Sequence, residues 1–217
     1  MVKRILEIFC GTKSIGKVFE RNGWEVISLD IDPKWEPTIC CDILQWDYKS
    51  AYPPGYFDVI HASPACTMFS TARLFSLGRH GYTREKINED IVKYGLPPLL
   101  KTLEIIKYFK PDVYLIENPQ TGRMKEYLDL PYTDCSYCAY GMKYRKNTRI
   151  WNNIGLKLEK CKCKGHHLES ILKYQKRDGF PDQIQVNNKF LTYVIPEKLC
   201  ESIYFQVIEY LEDQNLK

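Results

Sequence analysis

Alternating apolar strands and amphipathic helices predict an α/β protein with a doubly wound, mostly parallel sheet. Three observations carry that prediction. Short apolar runs bounded by turn residues alternate with segments of helical period. Several of those runs end in polar or reactive side chains, at the carboxyl ends of strands where such sheets bind ligands. And 217 residues are enough for one domain of this kind with a real core and a small appendage.

The elements follow in order. Arg4-Ile5-Leu6-Glu7-Ile8-Phe9 is a buried strand running into the turn Cys10-Gly11-Thr12-Lys13-Ser14-Ile15-Gly16. A helix through Val18 and Phe19 closes at Gly23, and Trp24 to Leu29 forms a second strand ending at Asp30-Ile31-Asp32. A short third strand precedes Cys41-Asp42-Ile43, and Phe57 to Ala62 is a fourth, ending at Ser63-Pro64-Ala65-Cys66. Residues 84–109 are helical, with Pro97-Pro98 breaking or restarting the helix. Asp112 to Ile116 is a further strand ending at Glu117, and the amphipathic residues 196–212 form a helix that closes the sheet.

Composition narrows the class. A net charge of +4 permits a nucleic-acid partner without demanding one. The nine cysteines are an odd number, and the chain enters a strand pattern directly, without the pattern of a secretory leader. No apolar run approaches membrane-spanning length. These features predict an intracellular protein whose thiols are reduced, catalytic or metal-bound.

Two strand ends carry the chemistry. Cys66 sits at the mouth of the fourth strand, and Glu117-Asn118-Pro119 ends another about fifty residues later. Out of context, Cys66 is a structural thiol and Glu117 a solvated strand end. Together, a thiol nucleophile and a carboxylate at neighbouring strand mouths suit addition to a pyrimidine ring and stabilisation of the charge that develops there. The Gly11 to Gly16 turn is equally an ordinary strand-to-helix turn or a cofactor loop, with Asp30 placed to hold ribose hydroxyls. Its spacing is neither that of a dinucleotide fingerprint nor that of a phosphate loop.

The order Phe9-Cys10-Gly11, Asp30-Ile31-Asp32-Pro33, Cys41-Asp42-Ile43, Pro64-Ala65-Cys66 and Glu117-Asn118-Pro119 resembles the C5-cytosine DNA methyltransferases. The likeness continues through Tyr144-Arg145-Lys146-Asn147-Thr148-Arg149-Ile150-Trp151 to Tyr193-Val194-Ile195-Pro196, and is nearest to the compact form met in phages and large viruses. The resemblance implies a Rossmann-like fold dependent on S-adenosylmethionine. It implies Cys66 as the thiolate that adds to cytosine C6, Glu117 as the partner of N3 and the exocyclic amine, and Arg149, assisted by Arg145 or Asn147, as the contact to O2 or the adduct. Phe9, Gly11, Gly16, Asp30, Asp32, Asp42, Ile43 and Pro64 then face the cofactor. Residues 67–83, carrying Arg73, Arg79 and His80, form a loop over the flipped base, and Arg84 follows directly. Without DNA against them these basic residues are simply a solvated face.

Three departures stand out. Ala65 replaces the usual proline before the nucleophile, and Leu191-Thr192-Tyr193 lacks the customary glycine-asparagine step. Only about 40 residues separate Arg149 from Tyr193, too few for a large target-recognition domain. The expected organisation is therefore a catalytic domain over 1–134 and 191–217, with a small Cys- and Lys-rich insert over 135–190. Within it, Cys135, Cys138, Cys161, Cys163, His166 and His167 fit a structural zinc site drawing on four of the six. The spacing leaves the four ligands open, and reduced surface cysteines are the plain alternative. The expected activity is DNA cytosine-5 methylation by a monomer acting on DNA. RNA or free-nucleotide methylation and an inactive DNA-binding protein of the same fold are the alternatives.

Overall fold

The computed structural model describes residues 2–79, 81–142, 144–162 and 193–216. Among these residues seven strands form one sheet in the order β3-β2-β1-β4-β5-β7-β6. β1 (Arg4–Ile8), β2 (Glu25–Asp30), β3 (Ile39–Cys40), β4 (Val59–Ala62) and β5 (Val113–Pro119) run parallel. β7 (Asn147–Asn152) is antiparallel to both β5 and β6 (Tyr132–Ser136). The central strands are buried on both faces, so they read in the sequence as continuous apolar runs rather than alternating ones.

Helices cover the sheet. α1 (Ser14–Arg21) turns Ile15, Val18 and Phe19 inward. Phe19 meets Trp24 and, on the C-terminal helix, Tyr204 edge-on, with centroids 5.0 and 5.1 Å apart, contacts worth about 0.5–1.5 kcal/mol each. α2 is a single turn (Tyr48–Ala51), and α5 (Glu197–Asn215) is fastened to α1 by ion pairs from Arg21 to Glu197 and Glu201.

The helix predicted over 84–109 is present and carries the predicted irregularity. α3 (Arg84–Asp90) passes through a π turn (Ile91–Gly95) into α4 (Leu96–Phe109). Pro97 and Pro98 have no N–H, and their rings crowd the carbonyls one turn back. A widened turn, with the Leu96 N–H bonded to the Ile91 carbonyl, accommodates both. Gly95 lies where a Cβ would stand 3.1 Å from Met68 Cβ and 3.1 Å from the Phe69 ring. The helix thereby packs directly on the segment that follows Cys66.

The organisation differs from the expected one at one boundary. The division between residues 134 and 135 falls inside β6, and β7 also belongs to the sheet. Cys135, Ile150 and Leu156 pack in the same core cluster as Ile5 and Val113. A Cys-, Lys- and Tyr-rich composition obscured these strands, whose pairing is set by register with β5. The rest of the expected insert, from residue 163 to 190, lies outside the described residues.

Candidate active site

At the end of β1 the chain turns sharply. Phe9 and Gly11 both take left-handed conformations (φ 57° and 46°), which a non-glycine residue such as Phe9 adopts only where its surroundings hold it. The turn is held by the Cys10 N–H on the Leu29 carbonyl at 3.1 Å, the Lys13 N–H on the Cys10 carbonyl at 2.7 Å, and the Gly11 N–H on Asp30 Oδ2 at 3.0 Å. Asp30 also accepts the Asp32 N–H at 3.0 Å through Oδ1. One buried carboxylate thus ties the β1 loop to the end of β2. Asp42 accepts the Leu44 N–H at 2.9 Å, Ile43 and Pro64 are buried, and Asp32 pairs with Lys34. These residues lie together at the carboxyl ends of β1 to β4. Gly16 differs from its neighbours: a Cβ there would stand 2.4 Å from Glu7 Oε2 and 3.0 Å from Val26 Cγ1. Its bareness serves a protein carboxylate beneath helix α1.

The thiol and the carboxylate come from adjacent parallel strands. Ala62 is in register with Ile116, so the segments leaving β4 and ending β5 run side by side. Ser63 Oγ donates to Glu117 Oε2 at 3.1 Å, and Asn118 Nδ2 donates to the Pro64 carbonyl at 2.8 Å. Asn118 is fully enclosed, so the second signature holds the first in place. Glu117 Oε1 accepts from Tyr137 Oη at 3.1 Å and lies 3.8 Å from Lys146 Nζ. Cys66 is carried at the surface of its loop, yet enough protein surrounds the thiol that desolvation pushes it above its ordinary value. Lys146 pulls the other way, and Glu117 adds to the rise.

The two arginines are placed differently from the acid. Asn118 pairs with Arg149 across β5 and β7, and Glu117 with Ile150. Successive residues of a strand face opposite sides, so Arg149 projects from the sheet face opposite Glu117. Its guanidinium makes a two-point bond to Asp134 at 2.8 and 3.1 Å and lies 3.4 Å over the Tyr132 ring. Arg145 is exposed and donates to Asn147 Oδ1 at 3.2 Å. The cation that reaches Glu117 is Lys146, whose ammonium also lies 4.6 Å over the Tyr137 ring. Neither Tyr137 nor Lys146 was signalled by local pattern.

A curated relative from Frog virus 3 (isolate Goorha), named "Probable DNA (cytosine-5)-methyltransferase", is 42% identical over 154 residues. That alignment covers 70% of this chain and 71% of the relative. The chain belongs to the DNA (cytosine-5)-methyltransferase family. No family model matches it. Membership carries dependence on S-adenosylmethionine, and the seven-stranded sheet is the Rossmann-like arrangement expected of such a methyltransferase.

Other features of the methyltransferase complete the site. In the loop after Cys66, Arg73 is bound to Asp90 of α3 and lies 5.8 Å over the Tyr82 ring, so its charge braces the loop. Arg79 is exposed, and His80 lies outside the described residues. Of the candidate zinc ligands, Cys163, His166 and His167 lie outside them too. Cys135 is buried, and desolvation, with Glu117 and Asp134 adding, pushes its thiol up to about 12. Among the described residues no three His, Cys, Asp or Glu side chains gather as a metal site, and no helix is long and apolar enough to cross a membrane.

Proposed function

We propose that this chain methylates cytosine C5 in DNA through a covalent Cys66 adduct. The observation that carries the reading is the pair of hydrogen bonds, Ser63 to Glu117 and Asn118 to Pro64, that holds the thiol segment beside the carboxylate. C5 of cytosine is a weak nucleophile. The Cys66 thiolate adds to C6, forming an S–C bond and sending the ring electrons to C5. S-adenosylmethionine supplies the methyl group. A base then removes the C5 proton, the C6–S bond breaks, and Cys66 is restored as thiolate. The base must leave the duplex stack for its ring face to be reached.

Within this reading Glu117 meets the ring nitrogen and amine edge, its back held by Ser63 and Tyr137. Lys146 offsets the carboxylate's charge beside the thiol and favours the thiolate. Arg149 acts through Asp134, which also accepts Gln120 Nε2 at 2.9 Å, on the segment following Pro119. Phe9, Gly11, Asp30 and Asp42 fit an adenosine group. Among the described residues only the Phe9 carbonyl comes near a Cβ position at Gly11, and Asp30 retains lone pairs beyond its two backbone bonds.

Zinc, if bound, is expected to draw its four ligands from Cys138, Cys161, Cys163, His166 and His167. Cys135 is enclosed in the core, and its thiol would have to ionise there. Elemental analysis of the purified protein, with Cys161→Ser alongside, tests this: one zinc per chain that the variant loses supports it, and metal-free folded protein removes it.

Nucleoside mass spectrometry of duplex DNA incubated with the protein and S-adenosylmethionine tests the main reading. The expected result is 5-methylcytosine with the intact protein and none with Cys66→Ala. Methylation surviving in Cys66→Ala would overturn the covalent route. Methylation confined to RNA or nucleotides would overturn the DNA assignment.

A further inference from the structure

A cavity of about 370 Å³ opens beside the catalytic edge of the sheet. One wall is Thr71, in the segment that follows Cys66, with Arg84 and Asn88 of α3 next to it. The other wall is Thr121 and Lys125, in the segment that follows Glu117-Asn118-Pro119. The two walls are stitched together, since the Arg123 N–H donates to the Phe69 carbonyl at 2.8 Å. Both catalytic signatures therefore lead directly into this one cavity.

Its charge is selective. Arg123 is spent on the wall itself, with a two-point pair to Glu126 (3.0 and 2.8 Å) and a bond to Asn88 Oδ1 at 2.8 Å. Arg84 and Lys125 are exposed, and among the described residues neither makes an ion pair. Besides the paired Arg123 and Glu126 and the amide of Asn88, two exposed cations, two threonine hydroxyls and one apolar side chain, Leu74, line a space of nucleotide size. Among the described residues no aromatic side chain lines it for a base to stack on. Cations with hydroxyl donors are the partners of phosphate oxygens, and such contacts fix register on a strand without reading its sequence.

We propose that this cavity grips a backbone phosphodiester of the target strand next to the flipped cytosine, with Arg84 and Lys125 as the charged contacts. This rests on the DNA reading above. It assigns to the catalytic domain part of the strand-positioning work that the short insert leaves open. It also accounts for Arg123 and Glu126, whose mutual pairing shapes the wall and leaves the free charge at the cavity mouth.

The experiment is equilibrium binding of a fluorescent duplex across a salt series, with methylation measured on the same duplex. The proteins are wild type, Arg84→Ala, Lys125→Ala and, as a control, Lys107→Ala at the far end of α4. Arg84→Ala and Lys125→Ala are each expected to weaken binding about 3- to 10-fold near 0.1 M salt. Each should reduce the slope of log K against log salt by about one, with Lys107→Ala unchanged.

A neutral methylphosphonate placed at successive linkages around the target supplies the second arm. One linkage flanking the target should weaken wild-type binding and have no further effect on Lys125→Ala. Slopes and affinities equal to wild type overturn the proposal, as does an equal change in Lys107→Ala or a methylphosphonate effect that is the same in both proteins. If the duplex binds with the expected slopes but is not methylated, the function reading fails while the phosphate site stands. If the duplex does not bind at all, both fall. Competition by inorganic phosphate alone, with no linkage effect, would assign the cavity to a small phosphate and overturn the strand assignment.

Discussion

Glu7 on β1 and Glu117 on β5 are buried carboxylates in one sheet, and they do opposite work. Glu117 is reached by Ser63, Tyr137 and Lys146 near the carboxyl end of its strand. Glu7 is enclosed under the first turn of α1 and accepts the Ile15 N–H at 3.2 Å, with the Gly16 backbone also acting on its carboxylate. Its neighbour His61 is equally enclosed, with Nδ1 3.8 Å from Glu7 Oε1. The two differ in the side chains that reach them: Ser63, Tyr137 and Lys146 at Glu117, and His61 at Glu7.

The same substitution at both positions separates the two carboxylates most strongly. Glu117→Gln keeps size but loses one acceptor and the charge, and methyl incorporation is expected to fall about 10²- to 10³-fold. Glu7→Gln touches no substrate group and is expected to stay within a few-fold of wild type. Comparable losses in two correctly folded variants would erase the distinction drawn here.

The next effect is thermodynamic and belongs to Glu7. Burial raises its carboxyl from 4.5 to about 7, and burial lowers His61 from 6.5 to about 4. Between about pH 4.5 and 7 the folded chain keeps a Glu7 proton that the unfolded chain has lost, so this group's contribution falls as pH rises. His61 works in the other direction. Between about pH 4 and 6.5 the unfolded chain binds a proton that the folded chain excludes, so stability rises with pH. Over their shared window the two slopes offset. Glu7→Gln removes one of them. Urea denaturation should show that variant more stable than wild type by about 3 kcal/mol at pH 8, and gaining stability steadily between pH 4 and 6.5. A flat difference across pH would mean that Glu7 is charged in the fold.

Gly16 refines the same region. A methyl group there meets Glu7 Oε2 at 2.4 Å, with Val26 behind it. Gly16→Ala is expected to cost about 1–3 kcal/mol, measured by thermal denaturation, and Glu7→Ser in the same chain should recover part of it. The sequence alone leaves the Gly11 to Gly16 turn open as a cofactor loop or an ordinary strand-to-helix turn. The close approach at Gly16 is to a protein carboxylate nine residues upstream.

That pattern holds across the molecule. The parallel strands were legible because burial on both faces leaves an apolar run ending in a reactive residue, as at Cys66 and Glu117. The paired helices around Pro97-Pro98 were legible because a missing N–H has only local consequences. What stayed hidden depends on register. Asp134 meets Arg149 because β6 and β7 pair with those two residues opposite each other, and no spacing rule gives that pairing. Tyr137 and Lys146 reach Glu117 only because the antiparallel strands bring the turn between them back over β5. Arg149, which the motif emphasises, faces away from the carboxylate, and Lys146, three residues earlier, does not.

Lys146 gives the smallest and most specific test. Its ammonium lies nearest the carboxylate and lowers a thiol that burial has raised. In Lys146→Met the thiol should rise further, so the thiolate fraction near neutral pH falls and the acid limb of the rate profile moves to higher pH. The loss is expected to be on the order of 3- to 10-fold at pH 7, shrinking as pH approaches the range where the thiol ionises unaided. Lys146→Arg, which keeps the charge, should restore most of the rate and the position of the limb. A purely structural lysine would lower the rate equally at every pH, and arginine would help only as far as it packs. The pH dependence therefore separates an electrostatic role at Cys66 from a scaffolding role at Tyr137, which the rate at a single pH does not.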